Sequence, residues 1–204
     1  MAASKQQVIK YNYFHWGPFL YHTLLSKEEV DKIRNLCSKK STDYRKNLAG
    51  FLAHEYEIDK EKLFPIIAPY LDSYAQAYLD YTSTSLPNKI ELMSSWVNYM
   101  TKFESNPLHV HDESLSFVIF TQVPKKLKEE FNNSVGTCKP GAINFVYTLH
   151  HSKMMMNQRT FFPEVGDFFI FPADLHHNVN HFQSDGERIS VSGNIRTTKY
   201  GQKI

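Results

Sequence analysis

The chain has 204 residues, 42% hydrophobic and 22% charged, with a formal net charge of +2. That balance is ordinary for a globular protein with one well-buried core, and it excludes the concentrated basic face of a nucleic-acid-coating protein. Two cysteines, Cys37 and Cys138, make no disulfide scaffold, and the N-terminal MAASKQQVIK has no apolar core, so a cytoplasmic protein without signal peptide or membrane span is expected.

Residues 8–25 carry alternating aromatics broken by Gly17-Pro18 and read as one or two short strands. Ser26 followed by Glu29 is a capping-box pattern, after which Val30, Ile33, Leu36 and Cys37 repeat at helical spacing toward Lys40. Segment 41–58 has no clear period. A second helix is expected over residues 59–81, with Leu63, Ile67, Leu71, Tyr74 and Tyr78 on one side. Pro69 should kink or delay it.

From Asn88 onward the texture becomes that of strands. IELMSSWVNYMTK, SFVIFTQV, AINFVYT, a stretch from Gln158 to Phe162, DFFIFP, HNVNHF and RISVSGNIRTT follow one another across breaks such as Pro140-Gly141 and Ser184-Asp185-Gly186. Between the second and third, the mixed-sign cluster Lys125 to Glu130 reads as a solvated helix face. Together with 15 Phe and 12 Tyr, these short strands predict a mainly β (α+β) double-stranded β-helix, the jelly-roll barrel shared with cupins. No linker or repeat divides the chain. A single domain over 1–204 is expected, with a helical or mixed flank (1–87) against a jelly-roll core (88–200).

The residues that can carry chemistry lie in that core. His109 and His111, in NPLHVHDESLSFVIFTQVP, sit one residue apart before an apolar run. Alternate residues of an extended chain point the same way, so the two imidazoles can converge on one metal ion. His176 and His177 follow FFIFPADL at another strand edge; only one of them can face inward, and His177 shares a side with Val179 and His181. Imidazole suits Fe, Zn, Cu and Ni alike. His150-His151 reads as a polar hairpin tip, and His15, His22 and His54 as structural. Eleven residues after His177 comes Arg188, which shares a strand face with Ser190 and Ser192. A buried arginine beside a metal needs an anion, and its fork matches a carboxylate. The alternative is a surface arginine paired with Glu187 or Asp185.

NPLHVHDESLSFVIF, GDFFIFPADLHHNV and ERISVSGNI, within residues 94–196, together resemble the Fe(II)- and 2-oxoglutarate-dependent oxygenases, specifically a prolyl-hydroxylase-like branch common in marine bacteriophage genomes. The resemblance implies a mononuclear iron site that uses Fe(II), 2-oxoglutarate and O2, with 2-oxoglutarate decarboxylated to succinate as a substrate is hydroxylated. Carried over, His109 is the first ligand, His177 the distal ligand, and Arg188 with Ser190 the anchor for the far carboxylate of 2-oxoglutarate. Tyr99 stands at the spacing of a tyrosine that contacts 2-oxoglutarate in such enzymes, though a core aromatic fits it equally. The sequence departs from the pattern at His111, where the superfamily has a carboxylate. A three-histidine centre of His109, His111 and His177 is expected, with Asp112 and Glu113 as second-choice ligands.

Two other classes fit parts of the pattern. A cupin-like three-histidine enzyme such as a thiol dioxygenase would use no 2-oxoglutarate, and Arg188 would then bind a substrate carboxylate. A non-catalytic jelly-roll binding module would carry its histidines incidentally. The substrate expected for the oxygenase is a prolyl or other peptidyl residue, or a small molecule. Neither KKLKEE nor the Met154-Met155-Met156 run defines it. No nucleic-acid or membrane partner is expected. If the chain is phage-encoded, its place is the host cytoplasm.

Overall fold

The structure, a computed structural model, describes residues 8–15, 17–86, 89–147 and 157–198. His150-His151 and the Met154-Met155-Met156 run lie outside those residues. Two antiparallel sheets face each other. The larger has seven strands in the order β1 (Tyr11–His15), β2 (Phe19–Leu24), β9 (Asp167–Pro172), β6 (Leu115–Gln122), β11 (Arg188–Thr198), β4 (Lys89–Met100) and β3 (Glu55–Glu57). The smaller has four, in the order β5 (Asn106–His109), β10 (His176–Val179), β7 (Ile143–Val146) and β8 (Gln158–Phe161). This is the jelly-roll arrangement expected, and the first two strands extend the barrel's own large sheet.

Period-two side-chain alternation divides the core into two layers. Ile119, Phe168, Ile170, Val191 and Ile195 point from the large sheet toward two helices, where Val30, Ile33, Leu63, Ile67, Tyr70 and Tyr74 meet them. Their neighbours Val118, Phe120, Phe169 and Phe171 point the other way and pack with Ile143, Phe145 and Val179 of the small sheet. Helices α1 (Lys27–Leu36) and α2 (Lys60–Thr82) therefore form an outer layer on the large sheet, away from the gap between the sheets.

The helix ends follow local chemistry. Ser26 and Glu29 form the expected capping box, and Asp59 caps α2 by accepting from the Glu61 and Lys62 N–H groups. Helix α1 stops at Leu36, earlier than the periodicity toward Lys40 implied, because Cys37 takes an extended conformation. Helix α2 runs continuously through Pro65 and Pro69, so Pro69 does not delay it. The two prolines are four apart and so share one side of the helix, away from buried Leu63, Ile67 and Tyr70. The donors they lack fall where water can satisfy the orphaned carbonyls. A third helix, α3 (Lys125–Asn133), buries only Leu127.

At Gly193, in the centre of β11, a Cβ would stand 2.6 Å from both the Phe117 ring and the Ser94 carbonyl oxygen. That contact sets how closely β4, β6 and β11 approach. Gly193→Ala is expected to destabilise the fold by about 1–3 kcal/mol, as overpacking of a filled core does. Urea denaturation should show a lowered midpoint with an unchanged m-value.

Candidate metal centre

Antiparallel pairing of β5 with β10 puts His109 directly opposite His177. Their ring centroids are 4.2 Å apart. His111 lies two residues beyond β5, where its backbone N–H donates to the Ala173 carbonyl at 2.9 Å. Its ring centroid stands 5.0 Å from His109 and 5.1 Å from His177. One ring nitrogen from each of the three lies within 4.8 Å of the others.

The backbone fixes two of the tautomers. His109 Nδ1–H donates to the Pro107 carbonyl at 2.7 Å, and His177 Nδ1–H to the Leu175 carbonyl at 2.9 Å. A carbonyl can only accept, so each Nδ1 carries the proton and each Nε2 presents a lone pair, the orientation typical of metal-binding histidines. Burial lowers the pKa of all three rings: His109 falls below its usual value, His111 to about 4 and His177 to about 3. In the last two, the neighbouring His109 opposes a second proton as well. Neutral, converging imidazoles are what a divalent ion requires.

The other candidates separate cleanly. His176 is exposed while His177 is buried. His181, expected on the side of His177, is exposed beyond the end of β10. Asp112 is exposed, and Glu113 is taken by a two-pronged pair with Arg196 at 2.7 and 2.9 Å. Neither second-choice carboxylate joins the three rings.

A cavity between the sheets connects the histidines to β11, and Arg188, Ser190 and Ser192 line it with Trp96 and Asn98 of β4. Arg188 is 2% exposed. Its Nη1 donates to the Gly141 carbonyl at 3.0 Å, its guanidinium carbon lies 5.4 Å from the Phe120 ring centroid, and its Nε has no partner. The surface pairing that would have made it structural does not form: Glu187 pairs with Lys39 and Asp185 with Lys102. Burial lowers the Arg188 pKa to about 10, which leaves it charged at neutral pH. Gly141 makes the cradle possible, because its φ of +65° is a conformation that favours glycine and a Cβ there would meet Leu127 at 2.8 Å. Ser190 Oγ accepts a long bond from Asn98 Nδ2 at 3.5 Å, so its own O–H remains free to donate.

Tyr99 is placed elsewhere. It pairs with Ile189 in register, and both point toward the helices and away from the cavity. Lys39 lies over its ring at 4.8 Å, and burial raises its pKa to about 12. It is a core aromatic. The cavity-facing residues of β4 are its neighbours in alternation, Trp96, Asn98 and Met100. Trp96 stands 5.8 Å from the His111 ring. These residues escaped sequence reasoning, although strand alternation puts them on the face opposite Tyr99, and so toward the cavity once its own direction is known.

The 2OG-Fe(II) oxygenase family model matches residues 94–194, the segment that holds all three histidines, Arg188 and Ser190. The barrel is that of a 2OG-Fe(II) oxygenase. Oxygenases of this family use 2-oxoglutarate and O2 at iron, and this chain is an enzyme of that kind. Among solved structures, the oxygenase resembles a viral collagen prolyl hydroxylase from Paramecium Bursaria Chlorella virus-1 in its 2-oxoglutarate complex, with a TM-score of 0.57, 14% identity, and 89% of this chain and 98% of that one covered. A prolyl-4-hydroxylase from Pseudomonas putida gives a TM-score of 0.55 at 13% identity, covering 90% and 94%. HygX from Streptomyces hygroscopicus, with nickel and 2-oxoglutarate bound, gives 0.53 at 13%, covering 90% and 84%. At such identities the likeness is one of fold. No curated protein matches the oxygenase in sequence. No helix among its described residues is long and apolar enough to cross a membrane.

Two outcomes are expected. A divalent metal at 100 times its Kd should stabilise the protein by about 2.7 kcal/mol; calorimetry should show that gain abolished in His177→Ala and kept in Asp112→Ala. Without metal, the depressed histidine pKa values make the unfolded chain the better proton acceptor, because free imidazole titrates at about 6.5. Stability should therefore be fully present above that pH and decline as pH falls toward 4, with a shallower decline in His111→Gln.

Proposed function

We propose that His109, His111 and His177 hold Fe(II), that Arg188 and Ser190 hold the far carboxylate of 2-oxoglutarate, and that the substrate is a peptidyl residue, prolyl among the candidates. One observation carries the anchor: a buried, charged guanidinium with a free Nε and no carboxylate partner among the described residues lines the same cavity as three converging imidazoles. An unpaired buried charge is costly, and a bound anion offsets that cost. The free Ser190 hydroxyl adds a neutral donor on the same strand face.

When bound, iron with 2-oxoglutarate supplies the oxidising chemistry, and this chain's residues bind, orient and exclude water around it. The tautomers of His109 and His177 are set by backbone carbonyls, so the ligand nitrogens are aimed before any metal arrives. Three neutral ligands leave the full charge of a dication in the cavity, which favours an anionic cosubstrate more than the usual two-histidine, one-carboxylate set does. Phe120 and Phe171 wall the cavity with apolar surface.

The peptidyl substrate is supported by two further points. Leu108 and Val110, which alternate with the two histidines, are 43% and 42% exposed, and Phe51 and Phe103 nearby in the chain path are 74% and 68% exposed. Apolar side chains displayed beside a site suit a macromolecular ligand. Among structures of similar fold are two named as prolyl hydroxylases. The whole chain, 1–204, then acts as one domain in a cytoplasm, a host's if the source is a phage.

Arg188→Ala should weaken 2-oxoglutarate binding by about 30-fold or more, since removing one partner of a buried charge pair costs roughly 2–5 kcal/mol. Tyr99→Phe should leave it unchanged. Titration of anaerobic Fe(II) protein, followed by succinate release under O2, checks both. Unchanged binding in Arg188→Ala would sink the anchor, and metal binding without any 2-oxoglutarate binding would favour the cupin-like enzyme.

A further inference from the structure

Across three strands of the large sheet, one register row carries Ser190 on β11, Asn98 on β4 and Glu55 on β3. Residues directly opposite on adjacent antiparallel strands share a face. The row therefore runs from the anchor, along the cavity side of the sheet, to a carboxylate at its edge. Glu55 is 1% exposed, and neither of its carboxylate oxygens has a hydrogen-bond partner. The acidic and basic side chains nearest it are committed elsewhere. Glu104 accepts from the Ala53 and Thr101 N–H groups, and Arg45 forks onto Asp43.

Two more acceptors of this region lack donors. Asn98 Oδ1 and Asn106 Oδ1 are both buried and unpartnered, and both residues line the cavity. All three residues bracket segment 48–52. Leu48, Ala49 and Leu52 of that segment also line the cavity, and Phe51 bridges to Ser105, next to Asn106. Behind it, a Cβ on Gly50 would lie 3.1 Å from Glu55 Oε1. Four buried acceptor atoms of this region, two on Glu55 and one each on Asn98 and Asn106, are thus offered no donor by the described residues. The cavity's free donor, Arg188 Nε, is assigned to the cosubstrate.

We infer that Glu55, with Asn98 and Asn106, forms a subsite for an organic nitrogen cation of the substrate, an ammonium or guanidinium group, reached as segment 48–52 yields. The subsite rests on the oxygenase assignment for its substrate but on separate residues for its chemistry. A nitrogen cation brings several N–H donors and the charge that an isolated carboxylate lacks. Cosubstrate carboxylates are repelled by Glu55 and drawn to Arg188, so the two charged groups sort two ligands by sign.

Burial raises the Glu55 pKa to about 7, with Glu104 and Asp43 adding to the rise and Arg45 opposing it. Cation binding should accordingly strengthen from pH 6 to pH 8, as the carboxylate ionises.

The test uses n-butylammonium and n-butylguanidinium against their uncharged counterparts 1-butanol and n-butylurea. Each is titrated by NMR into full-length protein loaded with Zn(II) and 2-oxoglutarate at pH 8. The cations should bind at least tenfold more tightly than the neutral compounds. That preference should vanish in Glu55→Gln and survive in weakened form in Glu55→Asp, which retracts the carboxylate without removing it. Equal binding of charged and neutral probes to the wild type overturns the subsite, as does a preference that persists in Glu55→Gln. So does a Glu55→Gln protein altered in 2-oxoglutarate affinity but not in cation preference, since Glu55 would then only balance the charge of the cavity. Loss of 2-oxoglutarate binding in Arg188→Ala, measured on the same samples, tests the anchor independently.

Discussion

A charged guanidinium buried in an apolar barrel is the constraint on which the rest of the site depends. Such a group forfeits its hydration, and nearby surface acids cannot repair the loss because Glu187 and Asp185 reach lysines instead. The fold compensates in part through the Gly141 carbonyl and the face of Phe120, and both depend on features far from β11 in sequence. What remains unmet is one donor and one charge, facing a cavity. The proposed anchor meets that demand with a bound anion.

The opposite wall adds no charge of its own. Three imidazoles held neutral by burial bring lone pairs and no charge, so a dication among them keeps its full attraction for that same anion. Histidines and arginine reach the cavity from different sheets, and the distance between them is governed by the packing of Phe120, Phe145, Phe169 and Phe171. Core packing and ligand geometry are therefore one problem here: a change in sheet separation would alter the span between metal and anchor.

Much of this was legible from residue order. Strand periodicity exposed the barrel, the His-x-His pair needed only period two, and Arg188 with Ser190 followed from alternation on one strand. Tyr99 was not legible in the same way. Every strand has two faces, and which one looks inward is settled by register against β11, where Tyr99 meets Ile189. Glu55 was harder still, since a three-residue strand has too few positions to show a period. Helix α2 hid its continuity behind two prolines, whose local penalty is outweighed by the tertiary burial of the opposite stripe. The fate of Glu113 depended on Arg196, far away in sequence, and no local pattern announces such a pair.

Strand β5 has only four residues, forms one edge of the small sheet, and meets β10 across a register irregularity. Short edge strands are the parts of a sheet that open most readily. Yet β5 carries His109, leads directly to His111, and faces His177 on its neighbour. An ion shared among the three would cross-link this loose border to the interior, much as a rivet joins a hem to its cloth. Occupancy of the centre would then be felt as order along the whole Phe103–His111 margin, and the mouth of the barrel would take its final shape only in the loaded enzyme.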